Sequence, residues 1–139
     1  MKPLLLMLIE DDEIESIKFD RALSRLNRPY KTIQAKNGEE ALKTLNETPS
    51  LPHLIIMDLN MPKMNGLEFL SALKQNSKLL HIPIIVLTTS ENTDDVTEAY
   101  RQGVAGYIVK PLKYDDYLNK IKTLIEYWDI NEFNGHKKL

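Results

Sequence analysis

Four short apolar runs in this chain end on side chains that can carry charge or donate hydrogen bonds. Leu4 to Ile9 is followed by Glu10, Asp11 and Asp12, and the run His53 to Met57 ends on Asp58. Ile84 to Leu87 ends on Thr88, and Gly106 to Val109 is followed by Lys110 and Pro111. Carboxylates gathered in one small volume repel each other and raise one another's pKa unless a cation lies between them. A hard divalent ion meets that need, and Mg²⁺ is the natural candidate, since it takes one or two carboxylates and keeps room for waters and phosphate oxygens. With the metal and Lys110 supplying positive charge and Thr88 able to donate, such a pocket suits a phosphoryl group. Asp58 has two roles open to it there, as metal ligand or as nucleophile forming an aspartyl phosphate.

Each of these signals is weak singly. Acids after a strand are often only helix N-terminal charges, a Thr closing a β-branched run is usually structural, and a Lys-Pro pair most often just stops a strand. The specificity comes from their arrival at successive strand ends. The elements that must position them follow from periodicity. Continuous apolar runs stopped by polar residues suit strands covered on both faces, and they predict strands at Leu4–Ile9, Tyr30–Ala35, 53–58, 84–88 and 106–109. Between them the spacing turns helical. It predicts a helix from Glu13 to Leu26, one carrying Ala41, Leu42 and Leu45 after Asn37-Gly38, and one carrying Leu67, Leu70 and Leu73. A fourth starts at Asn92-Thr93 and stops near Gly103, and the last bears an apolar stripe of Tyr117, Leu118, Ile121, Leu124, Ile125 and Trp128. Five strands alternating with five helices describe an α/β protein with a doubly wound parallel sheet. In such sheets ligands bind beyond the carboxyl ends of the strands, where these residues fall.

The 139 residues are one domain's worth, and 42% hydrophobic with 27% charged residues is the balance of an ordinary globular chain. A formal charge of −2 argues against a nucleic-acid partner, and zero Cys excludes disulfides, thiolate zinc sites and Cys nucleophiles. The opening apolar run is too short for a secretory signal and is stopped by acids, and no run approaches a membrane span. A cytoplasmic protein without membrane attachment is expected. Residues 1–128 are read as the domain and 129–139 as a short tail, with Asn134-Gly135-His136-Lys137-Lys138 frayed and no room for an output domain.

The segments LIEDD at 8–12, IIMDLNMPKMNG at 55–66, IIVLTTS at 84–90 and GYIVKP at 106–111 resemble the receiver domain of two-component response regulators, over about positions 4 to 128. The resemblance implies the flavodoxin-like strand order 2-1-3-4-5. It implies that Asp58 accepts the phosphoryl group, that Asp11, Asp58 and the Asn60 carbonyl ligate Mg²⁺, and that Glu10 acts through a metal-bound water. Asp12 is the spare acid. Thr88 would bond a phosphoryl oxygen and swing inward, Lys110 would pair with another, and Tyr107 would follow Thr88 inward from an outward-facing position. Pro111 would follow a cis peptide bond that aims Lys110, and Gly66 would allow a tight turn after Asp58. Glu10 stands where the family often has Asp, and Thr89 is bulkier than the residue frequently found there, which would narrow access.

The implied function is that of a single-domain response regulator, a phosphoacceptor in a phosphorelay that acts on no substrate but itself, charged by the phosphohistidine of a sensor histidine kinase. LTTS and IEYWDI resemble the small stand-alone receivers paired with bacterial phytochrome-type kinases. Five of the six Tyr and Trp128 fall in the last 40 residues, and aromatics favour interface centres. Tyr117 and Trp128 fit the core stripe, whereas Tyr107 and Tyr114 are expected to be exposed. The face of the fourth helix, fifth strand and fifth helix is therefore expected to dock a downstream protein or a second copy. A phosphatase of the haloacid-dehalogenase type resembles DxDx[TV], but Asp58-Leu59-Asn60 lacks its second Asp. No GxxxxGK[ST] loop favours a nucleotide, and the set Asp11, Asp58, Thr88 and Lys110 is too complete for a degenerate receiver.

Overall fold

A computed structural model of the chain describes residues 2–133; the polar end at 134–139, read above as a tail, lies outside them. Strands β1 (Leu4–Ile9), β2 (Tyr30–Ala35), β3 (Leu54–Met57), β4 (Ile84–Thr88) and β5 (Gly106–Val109) form one parallel sheet in the order β2-β1-β3-β4-β5. They alternate with helices α1 (Glu13–Ser24), α2 (Gly38–Glu47), α3 (Gly66–Leu73), α4 (Thr93–Arg101) and α5 (Tyr114–Asp129). This is the doubly wound fold expected from the sequence.

Successive side chains of a strand point to opposite faces, and the two faces have separate cores. Leu4, Leu6 and Leu8 of β1, Leu54 and Ile56 of β3, and Ile85 and Leu87 of β4 pack with Phe19 and Leu23 of α1 and Tyr117, Ile121 and Ile125 of α5. Met7, Ile9, Ile55, Met57, Ile84 and Val86 pack the other face against Ala41 and Leu45 of α2, Phe69, Leu70 and Leu73 of α3 and Ala99 of α4. β3 and β4 are buried at every position, while β5, an edge strand, is half-buried throughout.

Polar residues between the runs start the helices. Asp12, Asn37, Asn65 and Asn92 each cap α1, α2, α3 or α4 by accepting from backbone N–H groups of the first turn. Asn65 and Glu68 complete a reciprocal capping box. α4 ends as expected near Gly103, whose φ of 95° is the left-handed conformation glycine permits. Its N–H donates to Tyr100 and that of Val104 to Ala99, a Schellman stop. α1 ends at Ser24, two residues before the expected Leu26. Arg25 and Leu26 instead bond back three residues, to Ala22 and Leu23, and tighten the chain into the turn before Pro29. α5 includes Asp129, which pairs with Arg28, and Phe133 packs beside His53 and Trp128. The chain thus stays on the body past the expected boundary at Trp128. No described helix is long and apolar enough to cross a membrane.

Candidate metal centre at the carboxyl end of the sheet

Register brings the acids together. Ile9 of β1 lies beside Met57 of β3, so the next residues, Glu10 and Asp58, leave the sheet side by side at the point where strand order reverses. The ladder continues past the strands, with Asp58 N donating to Ile9 O at 3.0 Å, Glu10 N to Ala35 O at 2.9 Å and Lys110 N to Thr88 O at 2.7 Å. The functional side chains therefore stand on hydrogen-bonded backbone.

Alternation decides which of them meet. Glu10, Asp58 and Lys110 come two residues after Leu8, Ile56 and Ile108, which all face α1 and α5. Lys110 Nζ lies 2.7 Å from Glu10 Oε1, 3.6 Å from Glu15 Oε2 and 3.8 Å from Asp58 Oδ2. Lys110 and Glu10 are both buried, with side chains only 8% and 4% exposed. Burial raises the Glu10 pKa despite the opposing hydrogen bond and charge of Lys110. Burial acts to lower the Lys110 pKa, but the Glu10 hydrogen bond and the charges of Glu10, Asp58 and Glu15 outweigh it, so the ammonium is held above its ordinary range. Glu10 Oε2 also accepts from Asp12 N at 3.2 Å, and Asp58 Oδ1 from Leu59 N at 2.8 Å.

Carboxylate oxygens of Glu10, Asp11 and Asp58 lie within 4.8 Å of one another. Three oxygen donors at that spacing, one of them on exposed Asp11, fit a hard divalent cation that keeps part of its water shell. Asp12 turns away from the cluster to cap α1, accepting from Ile14 N at 2.9 Å. Asn60 is exposed, two residues beyond Asp58.

Thr88 and Tyr107 belong to the opposite face. Thr88 follows Val86, which packs toward α2, α3 and α4, and Tyr107 packs on the same core. Thr88 is fully buried, and its Oγ1 accepts from Ser90 N at 3.4 Å. The outward-facing orientation expected of Tyr107 is not found: the residue is half-buried and its hydroxyl donates to Ser90 O at 2.9 Å. Burial first, then the charges of Asp95 and Asp58, push its pKa up, against a smaller lowering influence of the Ser90 side chain. Tyr114 is exposed and Tyr117 buried, as expected.

One further expectation is corrected. No cis peptide bond occurs among the described residues, so Pro111 follows a trans bond. Trans is the favoured isomer even before Pro, and Lys110 is aimed instead by its backbone bond to Thr88 and its pairing with Glu10. The left-handed backbone of this loop falls on Lys63 with φ of 62°, and Gly66 allows the tight turn expected after Asp58. It supplies closeness. A Cβ there would lie 2.8 Å from Asp58 O and 2.9 Å from Leu59 Cα, because α3 begins directly against the end of β3, with Gly66 N donating to Leu59 O at 2.9 Å.

Sequence reasoning did not single out Glu15 or Ser90. Glu15 sits one helical turn after Asp12, the spacing that places two residues on one side of a helix. Ser90 falls two residues after Thr88, where a hydroxyl-bearing loop residue commonly bonds nearby backbone.

The response regulator receiver domain family matches residues 6–122. The chain is 35% identical over 130 residues to the probable methanogenesis regulatory protein FilR2 of Methanothrix harundinacea, covering 91% of this chain and 84% of that one. It is 33% identical over 131 residues to response regulator Rcp1 of Synechocystis sp., covering 91% and 89%. Among solved structures, the phosphorylated cyanobacterial phytochrome response regulator RcpA superposes with a TM-score of 0.90 at 29% identity, covering 96% of this chain and all 100% of that one. The Mn²⁺-bound form of Rcp1 superposes with a TM-score of 0.87 at 30% identity, covering 96% and 100%. With the strand order, the acidic cluster and the buried lysine in place, the chain belongs to the response regulator receiver domain family.

Proposed function

We propose that the protein is a response regulator in which Asp58 accepts a phosphoryl group from the phosphohistidine of a sensor histidine kinase. The observation that carries this reading is the grouping of Glu10, Asp11 and Asp58 within 4.8 Å, with Lys110 Nζ 3.8 Å from Asp58 Oδ2. In the transfer, an Asp58 carboxylate oxygen forms the new bond to phosphorus while the bond from phosphorus to the histidine nitrogen breaks. The nitrogen keeps the electron pair of that bond. A later water attack releases phosphate and regenerates Asp58.

Asp11, Asp58 and the Asn60 carbonyl would hold Mg²⁺, with Glu10 beside them to act through a metal-bound water. Bound there, the ion would supply positive charge to offset the crowded acids and the transferring group. Lys110 pairs with one phosphoryl oxygen, and Thr88 donates its hydroxyl to another. Gly66 keeps the loop close to Asp58, Pro111 follows Lys110 out of the sheet, and Asp12 serves α1 as its cap. Thr88 and Tyr107 form the switch, since a new dianion offers acceptor oxygens that a bistable element can read.

The protein works in the cytoplasm. Its partner kinase is of the phytochrome type, a reading supported by the names of the relatives RcpA and Rcp1. The signal leaves through the face of α4, β5 and α5, toward a downstream protein or a second copy. Incubation with Mg²⁺ and a small phosphoryl donor, followed by intact-mass measurement, tests the assignment. One added phosphoryl group is expected, absent in Asp58→Asn and absent with chelator. Labelling that survives Asp58→Asn overturns it.

A further inference from the structure

Ser90 carries more connections than a loop residue needs. Its N–H donates to Thr88 Oγ1 at 3.4 Å, and its carbonyl accepts from the Tyr107 hydroxyl at 2.9 Å. Its own hydroxyl donates to Asp95 Oδ2 at 2.7 Å and accepts from Asn92 N at 3.3 Å. One residue thus touches the end of β4, the ring of β5 and the first turn of α4. The three contacts use different atoms, so each can be cut separately. The Asp95 bond is short, and the acceptor is a carboxylate, the combination that makes a hydrogen bond strong. Asn92 already caps α4 by accepting from Asp94 N at 2.8 Å. The link from Ser90 to Asp95 is therefore additional to the cap, and it reaches outside the helix to the residue beside Thr88's hydroxyl.

We infer that Ser90 is a positioning residue that ties the hydroxyl of Thr88 to α4, with its bond to Asp95 as the link that moves the helix. This rests on the phosphoacceptor reading and names how its signal reaches α4. When the Thr88 hydroxyl turns to a phosphoryl oxygen, Ser90 N–H loses its acceptor. The loop must then find new partners, and the Oγ to Oδ2 bond passes that displacement to the first turn of α4. Tyr107, bonded to the carbonyl of the same residue, responds through a separate atom.

Beryllofluoride with Mg²⁺ forms a mimic of the phosphoryl group on a carboxylate, and amide NMR of the whole chain reads each element separately. In the native chain, the amides around Asp58, those around Thr88 and those of residues 93–97 are expected to shift together. Ser90→Ala and Asp95→Ala should each keep the shifts around Asp58 and lose those of residues 93–97. Ser90→Thr, which keeps the hydroxyl, should restore them. Far-UV circular dichroism of each free variant shows whether α4 is intact, and the second variant cuts the link while leaving the loop's own sequence untouched. Residues 93–97 responding as strongly in Ser90→Ala and Asp95→Ala as in the native chain overturns the coupling. So does a native chain whose Asp58 neighbours shift without α4. No shift around Asp58 in the native chain overturns the phosphoacceptor reading itself, and the coupling with it.

Discussion

Lys110 Nζ and Glu10 Oε1 meet at 2.7 Å although 100 positions separate them in the chain. The pair is buried, and Glu15 and Asp58 crowd the same ammonium at 3.6 and 3.8 Å. Lys110 is thus the cation against which several acids are balanced. Removing one partner of a buried pair leaves the other uncompensated.

Lys110→Met should therefore cost about 3 kcal/mol of stability in urea unfolding without metal. Added Mg²⁺ should recover more of that stability in the variant than in the native chain, because the acids then have no other cation. A variant that unfolds at the native urea midpoint contradicts this.

Asp11→Asn should have the opposite balance. Asp11 is exposed and stands among like charges, so its loss relieves repulsion and leaves the metal-free protein as stable as before or slightly more so. Divalent affinity should fall about tenfold or more, as expected when a ligand carboxylate is lost from a site with few of them. Calorimetric titration with Mg²⁺ or Mn²⁺ reads the affinity, and chemical denaturation the stability. Unchanged affinity removes Asp11 from the ligand set.

At Gly66 the obstacle is backbone. An added methyl would meet Asp58 O at 2.8 Å and Leu59 Cα at 2.9 Å, and neither can rotate away. Gly66→Ala should cost about 1–3 kcal/mol, the usual range for overpacking, and should slow labelling of Asp58 by displacing it. Comparing denaturation midpoints and labelling rates with the native chain tests both effects. Native values for both would show that α3 can retreat freely.

Tyr107 provides a pH signature. Its folded pKa is raised above the ordinary 10.0, chiefly by burial. Between that value and the folded one, the unfolded chain has lost the proton that the folded chain keeps, so stability falls as pH rises through the window. Tyr117, also raised, adds to the same slope. Tyr107→Phe should remove one late phase from the phenolate absorbance titration and flatten the alkaline loss of stability. A titration with the same late phases as the native chain contradicts this.

Much of the architecture was legible because strands buried on both faces read as unbroken apolar runs, as at 54–57 and 84–87. The acids ending those runs marked the site. The strand order came from family resemblance, since no pattern in the sequence says that β1 sits between β2 and β3. Glu15 was missed because its approach to Lys110 depends on how the first turn of α1 leans over the sheet. Tyr107 was expected to face outward, and the Ser90 carbonyl that holds it inward is a backbone group that residue types do not reveal. The left-handed turn at Lys63 was hidden for a like reason: the chain there is shaped by the close start of α3, and a lysine gives no sign of it.

The buried lysine enters the site from the last strand of the sheet, and the acids it balances enter from the first and the third, with β4 laid between β3 and β5. Contacts of such long sequence separation are slow to form, because the chain between them must first be closed into a loop. A chain still emerging from the ribosome, or cut before β5, presents Asp58 without its cation or the ring of Tyr107. The balance of charge around Lys110 is thus a property of the completed sheet alone, absent from any shorter stretch of the chain.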